Sequence, residues 1–201
     1  MLIDNNSTNP LVDSIIDGFV RRNMFYEVLR MKNNNRSNFI NVMKDYESKI
    51  NNYFFFVESD VEILTDGWDE IMMGYFVGNN YGFLGSAVDQ TDYIDLSTVD
   101  LNEGDNAFLV KANSKEKDRP YDGIGILPII PPGRLTIWKS DLFYSHINEN
   151  IYSDGIFGKI VIAEGYKVGV VKEVKHRHLS LMNYYDCPNY TSVQRHNYFK
   201  N

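Results

Sequence analysis

The sequence predicts an α/β protein: a central, mostly parallel sheet flanked by helices, built as a single domain. Three observations predict it. Strand-like and helix-like segments alternate through the first 88 residues. Two stretches, NYFFFVESD at 52–60 and YGFLGSAVD at 81–89, are apolar runs bounded by polar residues, the pattern of strands covered on both faces. With 201 residues, 43% of them hydrophobic, the chain can bury one sizeable core.

The elements follow in order. Met1 to Ile3 reads as a short strand entering a polar turn of Asp4, Asn5, Asn6, Ser7 and Thr8, all turn or cap residues. From Pro10, PLVDSIIDGFVRR places Leu11, Ile15, Ile16 and Phe19 on one helical face and ends on Arg21 and Arg22, where the helix dipole favours cations. FYEVLRM at 25–31 reads as a strand, and RSNFINVMKDYESKI at 36–50 as a helix that turns Phe39, Val42, Met43 and Tyr46 inward. DGWDEIMMGYF at 66–76 is helical. Residues 89–122 are acidic, then basic, with few periodic apolar positions, and read as a long loop or insertion. GILPIIPPGRLTIWKSDLF holds three of the six prolines before the strand-like RLTIW, and SDGIFGKIVIAEGYKVGVV reads as helix, Gly165 turn and strand.

Composition excludes several classes. Cys187 is the single cysteine, so no internal disulfide forms, and no Cys/His spacing resembles a zinc site. A formal net charge of −7 argues against a general phosphate-backbone binder, although Lys111–Arg119 and Lys172–His178 are locally basic. No stretch suits a membrane helix or a signal peptide, which predicts a soluble, cytoplasmic protein, or one of the host cytoplasm if the source is viral.

Three segments in order resemble the GT-A fold glycosyltransferases, most closely the inverting family 2. LIDNNSTN at 2–9 is similar to that family's second-strand signature, FFFVESDVEIL at 54–64 to its D-x-D region, and YSDGIFGKIVIAEGYKVGVVKEVKHRH at 152–178 to its C-terminal signature of acid, helix, Gly-Tyr, strand and histidine. The resemblance spans most of the chain and implies a metal-dependent transfer of a sugar from a nucleoside diphosphate donor, UDP by default, to a hydroxyl acceptor on a glycan, a protein or a modified nucleic-acid base. It divides the domain into a nucleotide-binding half at 1–88, the variable 89–122 and an acceptor half at 123–201.

The resemblance also assigns residues. Asp60 is the first choice to hold Mn²⁺ or Mg²⁺, hard cations that favour oxygen ligands, with Glu58 and Ser59 near the donor ribose and diphosphate. His176 or His178, two apart and so on one face of a strand, adds a metal contact. Asp154 is the general base, with Ser153 standing where the family commonly has a further acid; either residue could also cap the following helix. Asp4 resembles the acid at the base edge, and Arg36 lies where a basic residue meets base or phosphates. Arg134 and Trp138 line the sugar or acceptor site, or Trp138 is core. Glu62 reads as surface.

Relative to the family, the chain is N-terminally short: Met1 stands almost on the second strand, and an unpaired edge invites a homodimer. Two alternatives accompany the main reading. One is a degenerate, non-catalytic GT-A-like binding or assembly protein. The other is a sugar nucleotidyltransferase, for which the Gly-rich phosphate loop is missing.

Overall fold

The computed structural model describes residues 1–8, 10–33, 37–59, 61–88, 121–147, 151 and 153–178. Arg36, Asp60, Cys187, the basic stretch 111–119 and all but the last two residues of 89–122 lie outside them. In chain order the elements are β1 (Leu2–Asp4), α1 (Pro10–Arg21), β2 (Val28–Arg30), α2 (Ser37–Tyr46) with a 3-10 turn at Glu47–Lys49, β3 (Tyr53–Val57), β4 (Val61–Ile63), α3 (Trp68–Phe76), β5 (Tyr81–Val88), β6 (Ile126–Leu127), β7 (Leu135–Lys139), α4 (Ser140–Ser145), α5 (Asp154–Ala163) and β8 (Lys167–His178).

Side chains alternate across a strand, and along β3 that alternation feeds two cores. Phe54 and Phe56 join Phe83, Trp138, Phe143 and Phe157 on the side of α2, α4 and α5. Tyr53 and Phe55 pack with Met72, Phe76, Leu135 and Ile137 on the side of α3. An aromatic run is therefore what this position needs, because every residue of it meets apolar surface.

The sheet is α/β as expected, but it is not mostly parallel. Strand order in the larger sheet is β3-β7-β5-β8-β4, with β6 also on β8. Among the described residues only β5 and β8 run parallel in it; the β3–β7, β7–β5, β8–β4 and β6–β8 pairs are antiparallel. β7 inserts between β3 and β5 and runs against both. Covering both faces selects the same apolar run whichever way the neighbours point, so composition could not report direction. β1 and β2 form a separate parallel pair.

Helix α2 follows expectation, with Val42 and Met43 buried and Phe39 and Tyr46 half-buried. It also ties the small sheet to the large one: Tyr46 donates to Glu27, Asn38 to Asn5, and the Phe39 ring packs at a tilt against Phe56, centroids 4.9 Å apart. Helix α1 departs from expectation. Ile16 is buried and Phe19 half-buried, but Leu11 and Ile15 are 68% and 57% exposed. A two-stranded sheet offers one helix little to cover, and Arg30 on β2 draws Asp13 and Asp17 of α1 towards itself, which fixes the helix's roll.

The basic segment 172–178 forms the end of β8. Pairing with β5 jumps from Val171 to Lys175, so three residues bulge. Within the bulge Glu173 accepts from Tyr75 and from the Gly125 amide, which holds its carboxyl below the usual range against the opposing effect of burial. Among the described residues no helix is long and apolar enough to cross a membrane.

Candidate functional site

The register gathers the proposed chemistry at one end of the larger sheet. Val57 at the carboxyl end of β3 pairs with Leu135 at the start of β7, Gly85 near the end of β5 pairs with Thr136, and Val88 pairs with His176 on β8. Such a rim is where ligands meet α/β sheets. A cleft of about 200 Å³ opens there, lined by Phe39, Phe56, Glu58, Pro132, Gly133, Arg134, Trp138 and Asp154. Drug-sized ligands occupy roughly 300 to 1,000 Å³, so this cleft has room for a sugar or a diphosphate rather than a whole nucleotide sugar.

Four residues expected at the site thus meet in one cleft: Glu58, Arg134, Trp138 and Asp154. Glu58 extends the β3–β7 ladder, its amide donating to the Arg134 carbonyl at 2.8 Å. Asp154 is the first residue of α5. Its Oδ1 accepts from the Gly155 amide at 2.7 Å and its Oδ2 from the Gly133 amide at 2.9 Å. Ser153 is the N-cap by backbone conformation and makes no side-chain capping bond, so the Asp154 carboxylate does the capping. Among the described residues the lining carries two carboxylates and one guanidinium, and a polyphosphate entering the cleft would bring further negative charge.

Trp138 is 3% exposed. Its ring stacks on Phe157 at 4.2 Å and on Phe54 at 5.9 Å, and Nε1 donates to Thr136 Oγ1 at 2.6 Å. It reaches the cleft as floor rather than as an exposed platform. Phe39 and Phe56 complete that floor; the sequence marked them only as core.

His176 is fully buried, and its Nδ1 lies 2.7 Å from Ser86 Oγ. The Ser86 hydroxyl donates to the Leu135 carbonyl at 3.3 Å. Its single proton is then spent, so Nδ1–H is the donor to Oγ and Nε2 carries the lone pair. Nε2 is a buried polar atom that has no hydrogen-bond partner among the described residues. Burial first, and the Arg134 charge second, push the ring's pKa down to about 4, against the opposing effect of a hydrogen bond to the Ala87 backbone. A neutral imidazole with one nitrogen anchored and the other bare fits the chemistry of a metal ligand. His176 pairs with Ile63 of β4, which packs in the α3-side core, so its side chain belongs to the sheet face opposite the cleft, at the same end. Ser86, which sets this tautomer, was not singled out from sequence; the signal available was one hydroxyl inside an apolar strand.

His178 ends β8 and pairs with Val61, the residue that follows Asp60. No group of three or more metal-binding side chains occurs among the described residues. Ser59 is exposed beside Glu58, and Glu62 is exposed on β4 as expected. Asp4 is not in the cleft lining. It is buried at the end of β1, accepts from the Ser7 amide at 3.1 Å and lies 3.7 Å from Arg30.

Comparison with solved structures gives a likeness to GalNAc-T7, crystallised with UDP, GalNAc and Mn²⁺, at a TM-score of 0.54 and 11% identity over 88% of this chain. The fold is GT-A-like. The chain spans 37% of the length of that protein. No family model and no curated protein matches the sequence.

Proposed function

We propose that the chain is a metal-dependent glycosyltransferase that moves a sugar from a nucleoside diphosphate donor, a UDP-sugar, to a hydroxyl acceptor with inversion. The observation that carries this reading is the meeting of Glu58, Arg134 and Asp154 in one cleft at the carboxyl end of β3. The similar solved structure contains UDP and Mn²⁺, which supports the donor and metal classes. The lining supports the metal class too: it carries the carboxylates Glu58 and Asp154 beside Arg134, and a divalent cation would offset the charge that a diphosphate adds there.

Each residue then has a task. Arg134 pairs with diphosphate oxygens, and Glu58 with Ser59 orients the ribose side of the donor. Asp154 accepts the proton of the acceptor hydroxyl while that oxygen bonds to the anomeric carbon and the diphosphate departs with the electrons of the broken bond. Asp60 with His178 or His176 would hold Mn²⁺ or Mg²⁺, which when bound would neutralise charge on the leaving diphosphate. Asp4 and Arg36 take the nucleobase end of the donor, and Trp138 closes the floor beneath the sugar.

Turnover of UDP-sugars in Mn²⁺ tests the reading. Asp154→Asn is expected to lower kcat by roughly 10² to 10⁴-fold while UDP still binds. Turnover within threefold of wild type in that variant would remove Asp154 as the base. UDP binding with no transfer to any acceptor or to water would favour the non-catalytic binding protein.

A further inference from the structure

The turn Pro131–Arg134 leads into β7 and carries Arg134 into the cleft, so what holds the turn decides where that charge points. Three of its restraints are backbone or rigid packing. The Arg134 amide donates to the Pro132 carbonyl at 2.9 Å. The Arg134 carbonyl accepts from the Glu58 amide at 2.8 Å. Pro131 is buried against Gly85 of β5, so closely that a Cβ on Gly85 would stand 2.4 Å from it. The fourth restraint is a side chain. The Gly133 amide donates to Asp154 Oδ2 at 2.9 Å, from a residue 21 positions away. Contact is close enough that a Cβ on Gly133 would lie 3.2 Å from that of Asp154.

Asp154 is itself rigid at its root, because Oδ1 caps α5 through the Gly155 amide. One carboxylate therefore ties the start of α5 to the start of β7. We propose that Asp154 is also a positioning residue: its carboxylate latches the 131–134 turn and thereby sets the direction of Arg134 toward the donor diphosphate. This rests on the reading of the cleft as a donor site, and it adds to Asp154 a task that proton transfer does not require. Two carboxylate oxygens offer about four acceptor sites, so two amide bonds leave room for an incoming hydroxyl proton.

Charge and latch make opposite forecasts for UDP. Removing a negative charge beside a diphosphate would by itself tighten binding. Removing the latch loosens the turn and weakens it. Asp154→Asn removes the charge but keeps an amide oxygen for the Gly133 N–H, whereas Asp154→Ala removes both.

The experiment titrates the full chain with UDP in Mn²⁺ by calorimetry and follows exchange of the Gly133 amide proton by NMR. Asp154→Ala is expected to bind UDP about tenfold more weakly and to exchange the Gly133 amide at least about tenfold faster. Asp154→Asn is expected to bind as tightly as wild type or more so. Arg134→Ala alone should match Asp154→Ala, and the double variant should lose little more, since both disable one element. If Arg134→Ala weakens UDP binding but Asp154→Ala does not, or if Gly133 exchange is unchanged in Asp154→Ala, the latch is overturned while the donor-site reading stands. If wild type fails to bind UDP, or Arg134→Ala binds it equally well, the donor-site reading falls and the inference with it.

Discussion

Ser86 Oγ and His176 Nδ1 lie 2.7 Å apart, a buried pair that joins β5 to β8 at the end of the sheet where the cleft opens. The pair fixes the ring in one tautomer and leaves Nε2 without a hydrogen-bond partner among the described residues, and stability should feel both facts.

His176 gives a signed dependence on pH. Its pKa falls from 6.5 in the unfolded chain to about 4 in the fold, so between these values the unfolded state binds the extra proton. Stability is therefore full above about pH 6.5 and declines as pH drops toward 4. At 1.36 kcal/mol per pH unit the loss comes to roughly 3 kcal/mol. Urea unfolding at a series of pH values checks this, with His176→Gln as reference. The slope between pH 4 and 6.5 should be shallower in the variant, by up to about one proton; parallel curves would mean that His176 is not buried as a neutral ring. Glu173, whose carboxyl is held low, loses its contribution in a more acidic window and is common to both proteins.

Ser86→Ala strips Nδ1 of its acceptor inside the core. An unsatisfied buried polar group costs about 1 to 3 kcal/mol, and the variant's urea midpoint should fall accordingly. In wild type, the ¹⁵N shifts of the ring should show the proton on Nδ1. A proton found on Nε2 would reverse the direction of the Ser86 bond and remove the bare ligand nitrogen.

Gly85 couples stability to the cleft. A methyl group there would stand 2.4 Å from Pro131 Cβ and 3.4 Å from the Pro132 carbonyl, and a proline ring has little freedom to yield. Gly85→Ala should cost about 1 to 3 kcal/mol by overpacking and, by displacing the 131–134 turn, should also weaken UDP binding. A variant with wild-type stability would show that the turn gives way without cost.

Periodicity made much of the fold legible. Helices α2, α3 and α5 and strands β3, β5 and β7 stand where their apolar patterns put them, because burial acts on side chains at known angular spacing. Strand direction was not legible: the aromatic run of β3 reports that both faces are covered, not which way β7 runs beside it. Leu11 and Ile15 show the same limit from the other side, since a helix can carry an apolar stripe that its small sheet does not cover. At the cleft, the acids at strand and helix ends were readable as residue types. Their partners were not, because the Gly133–Asp154 and Ser86–His176 bonds join residues 21 and 90 positions apart and leave no local pattern.

The most direct measurement is a calorimetric titration of the wild-type chain with UDP, with and without Mn²⁺, beside Arg134→Ala. A donor site at this cleft predicts saturable binding that requires Mn²⁺ and weakens about tenfold in the variant. Absence of UDP binding in both conditions, or binding indifferent to Arg134, would contradict it.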